Sequence, residues 1–563
     1  MRTVLAMSLA VALTMMGFVA VPTRTVGQDA VRVSILNDLG DGEYFWRDVV
    51  IEDPSARNAS WSATQSAASA LNLAIEWAWF DCCGVAVVDI GDRNPPAGFA
   101  GLYLWNATAE MWDLAPTGIS DLVLRDGDAI AWYNAGFDGT TYEPRFPVPT
   151  PAHRNPSLMF RGSALNTGVS RSAAPNAARV LWDRDMGVRE IVSTPAVAYG
   201  RLFFATFNGT FALDAETGQT VWHNPIVRGF SSPAVFDGTI LLGASDGHLY
   251  RLYASNGTER WTATLLEETV FSGITSSPKV AFDHAYVGTF NESGGPGEVV
   301  AVWVSNGTIA WRHATGSVHF SSPAVANGTV YVGVMGRYNT TTQITFDPPY
   351  GVLALDAATG GEVWFFETGG PVAASPAIAG SLVLAPSKDG FLYALDRNEG
   401  DRVWRANVGS TVSSPAVHGD TVFVASGSFD GSRDVRALDI ANGQVRWTFT
   451  PNGPVQASIT YADGKIFFST NAANGTIYAL NATRGEEVWK FQPTPANYIL
   501  GSPIVADGTL YAPSDNGHVY AIRDPARQPP SVVDSLWAPG VILLVLGTAV
   551  VIVILWRRRR VPD

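Results

Sequence analysis

Cysteine is nearly absent: among 563 residues only Cys82 and Cys83 occur, side by side. Two adjacent thiols cannot build a disulfide framework, a Cys-x-x-Cys-His haem attachment or a Cys-rich zinc site. Positive charge is also short. With 37 Lys and Arg against 51 Asp and Glu, the net charge of −14 would repel a phosphate backbone, which argues against nucleic acid as a partner. Charged residues make up only 16% of the chain and apolar ones 47%, a balance that excludes a disordered tail and a coiled coil. Catalytic motifs are scarce as well: the sequence holds no phosphate-binding loop and no His-x-x-x-His. Its His residues, at His153, His223, His248, His284, His313, His319, His418 and His518, are scattered, and Glu267-Glu268 reads as a solvated acidic loop.

What is present at both ends points to a membrane. Arg2 precedes an apolar run from Val4 to Val21, the pattern of a secretory signal peptide over residues 1–28. Trp537 to Trp556 encloses an uncharged apolar run, and twenty residues at ~1.5 Å rise would cover the ~30 Å hydrocarbon core. One transmembrane helix is therefore expected over 537–556, with residues 525–536 as a stalk. Arg557, Arg558, Arg559 and Arg560 place the 557–563 tail in the cytoplasm by the positive-inside rule. The expected location is a single-pass cell-membrane protein with its bulk outside.

The middle repeats. Gly followed four residues later by Trp occurs at Gly218/Trp222, Gly257/Trp261, Gly307/Trp311, Gly360/Trp364, Gly400/Trp404, Gly443/Trp447 and Gly485/Trp489. A second anchor, Ser/Thr-Pro before a short apolar strand, recurs at Pro195, Pro233, Pro278, Pro323, Pro376, Pro415 and Pro503, with Ile459 in the Pro slot of one copy. Each unit reads as four short strands, the signature of a propeller blade. Trp182 lies in an isolated strand before the first unit, and the last unit, Gly501 to Asp524, has three strands and no Trp. Pairing these fragments closes a ring of eight blades and removes exposed edges. The expected fold is all-β: an eight-bladed propeller over 158–524 closed by an N-terminal strand, a small N-terminal α+β domain over 29–142, a Pro-rich linker over 143–157, and the C-terminal transmembrane helix. Trp182, Trp222, Trp261, Trp311, Trp364, Trp404, Trp447 and Trp489 are read as indoles packed between blades rather than ligand contacts.

Asp-Ala-x-Thr-Gly-x-x-x-Trp together with Ser-Pro-Ala-Val resembles the pyrroloquinoline-quinone-like propeller repeat, and Asn155 to Arg161 with Asn166-Thr167-Gly168 is similar to the segment that opens such propellers. That family includes quinone-dependent dehydrogenases, outer-membrane assembly lipoproteins and surface proteins, so the resemblance implies a fold and leaves the function open. Quinoprotein dehydrogenases place a vicinal disulfide against the quinone. Cys82-Cys83 falls outside the repeats, and is read as a strained local disulfide or buried thiols instead. In the N-terminal domain a strand at Val31–Ile35, a helix from Ser62 to Glu76 and a closing segment Leu122–Tyr133 are expected. Gly101 to Asn106, with Gly127-Asp128 and Trp132, resembles the C-terminal domain of transcobalamin-type cobalamin carriers, which implies a ligand or partner module.

Ten Asn-x-Ser/Thr sequons stand at Asn58, Asn106, Asn208, Asn256, Asn291, Asn306, Asn327, Asn339, Asn474 and Asn481. They are read either as glycosylation sites of an exported chain or as turn chemistry. Three insertions, Asn291–Glu298, Gly336–Gly351 and Gly427–Asp434, fall between second and third strands and therefore crowd one face. Tyr338, Phe346, Asp347, Tyr350, Phe429, Asp430 and Arg433 are its contact candidates. The function expected is a non-catalytic, membrane-anchored scaffold for surface proteins or glycans, with no cofactor. Two alternatives remain: a quinone-dependent oxidoreductase carrying pyrroloquinoline quinone (PQQ) and calcium, and corrinoid-like binding by the N-terminal domain.

Overall fold

Each sequence repeat becomes one blade of four antiparallel strands, to which Val169–Ser170 adds a parallel fifth in the seventh blade, in the computed structural model of the chain, which describes residues 31–524 apart from 41–42, 81–83, 92–99, 110, 135–147, 152, 268–272 and 428–430. The fourth blade shows the plan. Its strands run Ala324–Ala326, Thr329–Val334, Gly351–Asp356 and Glu362–Glu367, hydrogen-bonded in that order. The first three are continuous buried runs, because a blade is covered on both faces by its neighbours. The fourth is a partly exposed edge, carrying Glu362 and Glu367 at its ends with Trp364 buried between them. In every blade the register slips between the third and fourth strands, in this one at Ala354/Leu355, and such a bulge twists the edge away from further pairing.

Eight such sheets follow one another, with first strands starting at Ala196, Ala234, Lys279, Ala324, Ala377, Ala416, Thr460 and Ile504. The last has three strands of its own. Its fourth is Val180–Asp185, paired so that Ala521 faces Trp182. The ring thus closes by joining residues more than 300 positions apart.

Three devices join blade to blade. Each repeat Trp donates its indole N–H to a backbone carbonyl of the next blade, as Trp311 does to Ala357 at 3.0 Å and Trp364 to Arg397 at 3.1 Å; Trp489 reaches Pro175. The same ring covers the next blade's turn glycine: a Cβ at Gly360, where φ is +73°, would lie 2.6 Å from the Trp311 ring. Nearer the axis, the Ser before each Pro forms a chain around the molecule. Thr194 N–H donates to Ser232 Oγ, Ser232 to Ser277, Ser277 to Ser322, Ser322 to Ser375, Ser375 to Ser414, Ser414 to Ser458 and Ser458 to Ser502, at 2.8–3.2 Å. These buried hydroxyls are the physical meaning of the Ser-Pro motif. The Pro that follows removes an N–H and fixes φ where the inner strand begins.

The third device is a plug. Residues 155–170 run along the first strands, and the plug's carbonyls accept N–H groups blade by blade: Ser157 from Val197, Leu158 from Val235, Ala164 from Val325, Leu165 from Ile378, Thr167 from Val417 and Gly168 from Tyr461. The third blade substitutes a side chain, Lys279 Nζ, which donates to Phe160 and Ser163 carbonyls. The inner strands would otherwise present unpaired donors to the axis.

The chain divides into two compact units near residue 136. In the N-terminal unit, β1 (Val31–Gly40), β2 (Glu43–Ile51), β5 (Gly101–Asn106), β6 (Met111–Leu114) and β7 (Ala129–Tyr133) form a sheet in the order β2-β1-β7-β5-β6, and β3 (Ile75–Phe80) pairs with β4 (Gly84–Ile90). Helix α1 spans Ala59–Ala70, earlier and shorter than the expected Ser62–Glu76. It ends because Asn72 adopts φ +55°, after which Ile75 and Glu76 belong to a strand. Leu122–Arg125 is likewise not strand; only Ala129–Tyr133 is.

The expectation of a membrane-spanning helix is corrected. The one described helix has 12 residues, and no helix among the described residues is long and apolar enough to cross a membrane. The fold supported is the all-β propeller with its N-terminal unit, and single-pass anchorage is withdrawn from both the fold and the location. The segments read as signal peptide, stalk, span 537–556 and tail, like Cys82 and Cys83, lie outside the described residues.

Candidate binding face

Antiparallel strands put the second-to-third-strand loops on the same face as the connections between blades. The third and fourth blades have the longest described insertions there. In the fourth, Arg337–Tyr338 pairs with Phe346–Asp347 as a separate hairpin standing off the blade. Its geometry is fixed locally. Asn339 accepts the N–H groups of Thr341 and Thr342 and donates to both Asp347 carboxylate oxygens at 3.2 Å, the Tyr338 hydroxyl donates to Gln343 O at 2.8 Å, and Tyr350 donates to Phe346 O at 2.6 Å. Gly336 is the hinge: φ is +85°, and a Cβ would meet Asp347 O at 2.2 Å.

The hairpin leans on the third blade. Phe290, which directly precedes the Asn291–Glu298 insertion, meets Tyr338 edge-on at 5.2 Å and Phe346 at 6.0 Å; Tyr338 and Phe346 are themselves 5.6 Å apart. From the blade connection, His319 lies 4.6 Å from Phe290 and 3.9 Å from Phe320. His319 Nδ1 is hydrogen-bonded to the Thr275 hydroxyl at 3.1 Å. Burial, reinforced by the Lys388 charge, pushes the imidazole down to about 3, so it is neutral and belongs to the aromatic cluster. Phe320 is held at φ +68° with its ring 48% exposed, and the hairpin tip presents Ile344 at 84%. A bulky residue in the left-handed region with its ring in water is costly, and such strain concentrates at binding sites.

Of the residues singled out from sequence, the structure brings Tyr338, Phe346, Asp347 and Tyr350 together. Arg433 is exposed on the sixth blade, beyond the intervening fifth, and Phe429 and Asp430 lie outside the described residues. Sequence reasoning missed Phe290, His319 and Phe320. A usable clue was position: Phe320 stands three residues before Pro323, as Phe230 does before Pro233, and Phe230 also packs edge-on against a loop aromatic, Phe207, at 4.6 Å. The sequon residues sit largely at turns. Asn256 and Asn306 each accept from the Thr two residues on, Asn481 from Thr483 and Arg484, and Asn106 from Thr108 and Ala109. Asn58 begins α1 at φ +64°, Asn327 has φ +48°, and Asn291 accepts from Ser293. Asn208 donates its N–H to Thr206, Asn339 holds the hairpin, and the Asn474 carbonyl accepts from Asn452.

Residues 155–170 are hydrogen-bonded along the first strands, and among the described residues no three His, Cys, Asp or Glu side chains converge to hold a metal ion.

A family model described as outer membrane protein assembly factor BamB matches residues 167–340, 322–448 and 431–525; none of these stretches includes the N-terminal unit. The chain is similar to the outer membrane protein assembly factor BamB of Burkholderia pseudomallei, 26% identical over 357 residues, covering 61% of this chain and 87% of that protein. To its counterpart in Yersinia pestis it is 24% identical, covering 55% and 66%. Among solved structures, the quinohemoprotein alcohol dehydrogenase of Comamonas testosteroni superposes with a TM-score of 0.55 at 15% identity, covering 68% of this chain and 82% of that one, a likeness of fold alone.

Proposed function

The chain belongs to the outer membrane protein assembly factor BamB family, and from that premise we propose that its propeller is a non-catalytic assembly scaffold that holds protein partners on the loop face of the third and fourth blades. The observation that carries this reading is the Phe290–Tyr338–Phe346–His319–Phe320 cluster. It is a rigid aromatic platform, buttressed by its own hydrogen bonds, with Phe320 and Ile344 projecting from it. Protein suits it better than glycan, because the Tyr338 hydroxyl and the Asn339 amide are already committed within the hairpin and few polar groups remain to read a sugar.

A photo-crosslinking amino acid at Ile344, tested in cells of the source organism, should give one discrete protein adduct. The same group at Val403, exposed on the outer edge of the fifth blade, should give none. Phe320→Ala should weaken the adduct at least tenfold with little change in melting temperature, since Phe320 is 48% exposed and Ala keeps the same left-handed backbone. Equal labelling from Val403, or an undiminished adduct in Phe320→Ala, would remove this face from consideration.

A further inference from the structure

Two buried cations meet where the plug lies on the blades: Arg161 of the plug and Lys279 of the third blade's first strand. Arg161 and Lys279 are 4% and 0% exposed. Lys279 Nζ donates to carbonyl oxygens at 2.7 and 2.9 Å, and the Arg161 guanidinium donates to the carbonyls of Pro415, at 2.6 Å, and Ile459. Among the described residues neither pairs with a carboxylate, and Arg161 Nε has no hydrogen-bond partner. The guanidinium is held rigidly, because Gly168 is packed so closely on it that any Cβ there would overlap it. Burial lowers the pKa of both cations, and the charge of Arg161 lowers that of Lys279 further, the mark of like charges sharing one low-dielectric site.

Beside Arg161 lies a cavity of about 20 Å³, lined by the hydroxyl-bearing Ser157, Ser170, Thr194, Thr460 and Ser502, by two glycines and by apolar residues of the plug and the eighth blade. Thr460 spends its proton on Pro503 O, and Ser502 accepts the Ser458 N–H, which leaves the Ser502 proton available to the cavity. No acidic side chain lines it. A hollow with a guanidinium, hydroxyl donors and no carboxylate is unsuited to a metal cation. Its volume admits a water or a monatomic ion and is too small for phosphate or sulfate. An isolated buried charge is expensive unless something compensates it.

We propose that this cavity is a binding site for a small monovalent anion, a halide such as chloride, which neutralises Arg161 and fastens the plug to the first, seventh and eighth blades. The inference is independent of the docking face.

Crystals of the protein grown in bromide test it directly. An anomalous difference peak is expected in the cavity, within contact of the Arg161 guanidinium. In solution, chloride exchanged for methanesulfonate at constant ionic strength should raise the melting temperature by about 2 °C for each tenfold increase above its dissociation constant. Arg161→Gln tests folding as much as binding, so the informative variant is Thr194→Val, which keeps the shape, removes a donor and should abolish the chloride response. Absence of an anomalous peak overturns the proposal. So does a peak accompanied by identical melting in both salts, which would mark an adventitious ion only.

Discussion

The repeated Trp works on a residue it never meets in its own repeat. Trp311 stands four positions after Gly307, yet the glycine beneath its ring is Gly360 of the next blade; Trp182 covers Gly218, Trp222 covers Gly257 and Trp447 covers Gly485 in the same way. The two demands on that glycine can be separated by experiment. At Gly360 both apply, a φ of +73° and a ring at 2.6 Å, whereas Gly380 has φ +59° with nothing within 4 Å. Gly380→Ala should cost about 1–2 kcal/mol, the left-handed penalty. Gly360→Ala should add about 1–3 kcal/mol for overpacking the indole. Thermal unfolding of the two variants checks the order, and equal losses would mean that the indole yields. The period, the Gly and the Trp were all legible in the sequence, because each is a local requirement repeated seven times. Their partnership across blades was not, since a contact between residues some 50 positions apart depends on the order of sheets around the ring.

At the scale of elements, the short turns between second and third strands share one design in the second, fifth and eighth blades. Asp246, Asp389 and Asn516 each cap the N–H two residues on, and each is bonded to the hydroxyl of the Tyr four residues on, Tyr250, Tyr393 and Tyr520, at 2.7–2.8 Å. In the eighth blade the residue before the cap is Asp515, 6% exposed, with one carboxylate oxygen unpartnered. Burial, with Glu190 nearby, pushes it up to about 7 from 3.8. Between pH 4 and 7 the native protein therefore holds a proton that the unfolded chain has released, and stability falls as pH rises through that window, by up to about 4 kcal/mol. His319 slopes the other way: depressed to about 3, it costs stability as pH falls below 6.5. Asp515→Asn should raise the melting temperature at pH 7.5 and leave it nearly unchanged at pH 4; no gain at pH 7.5 would show that the carboxyl ionises without penalty. The three insertions could be read in the sequence as loops on one face, because the strand pattern brackets them. Phe290 and His319 could not, since a single sequence does not distinguish a ring that closes a loop platform from one that fills a blade, and for Phe320 the only clue was its place three residues before Pro323. The helix boundary was missed for a related reason: apolar spacing continued through Ile75, where strand pairing with Ile90 prevailed.

For the whole molecule, the question is what keeps the ring shut where its ends meet. Two kinds of contact bridge the eighth and first blades. One is electrostatic: Arg523 grips Glu216 with two hydrogen bonds of 2.6 Å. The other is strand pairing and packing, in which Val180–Asp185 completes the eighth blade while Trp182 covers Gly218 and donates to Ala215 O at 3.0 Å, an oxygen that also accepts from Tyr511 at 3.1 Å. Their magnitudes differ. Glu216 is 54% exposed, and solvent-screened pairs contribute about 0–1 kcal/mol even with good geometry. Emptying the site of a large aromatic costs about 3–5 kcal/mol, somewhat less here because Trp182 is only part-buried. Trp182 also holds the strand that follows the plug, so its loss loosens the ring and the axis together. Trp182→Ala should therefore lower the melting temperature by several degrees and make the segment between the plug and the first blade, around Arg184–Arg189, sensitive to trypsin. Glu216→Gln should move the melting temperature by less than about 1 °C and leave proteolysis unchanged. If the two variants melted alike, closure would rest on the ion pair, and the account of the ring as a chain of indole and strand contacts would fail at its most exposed joint.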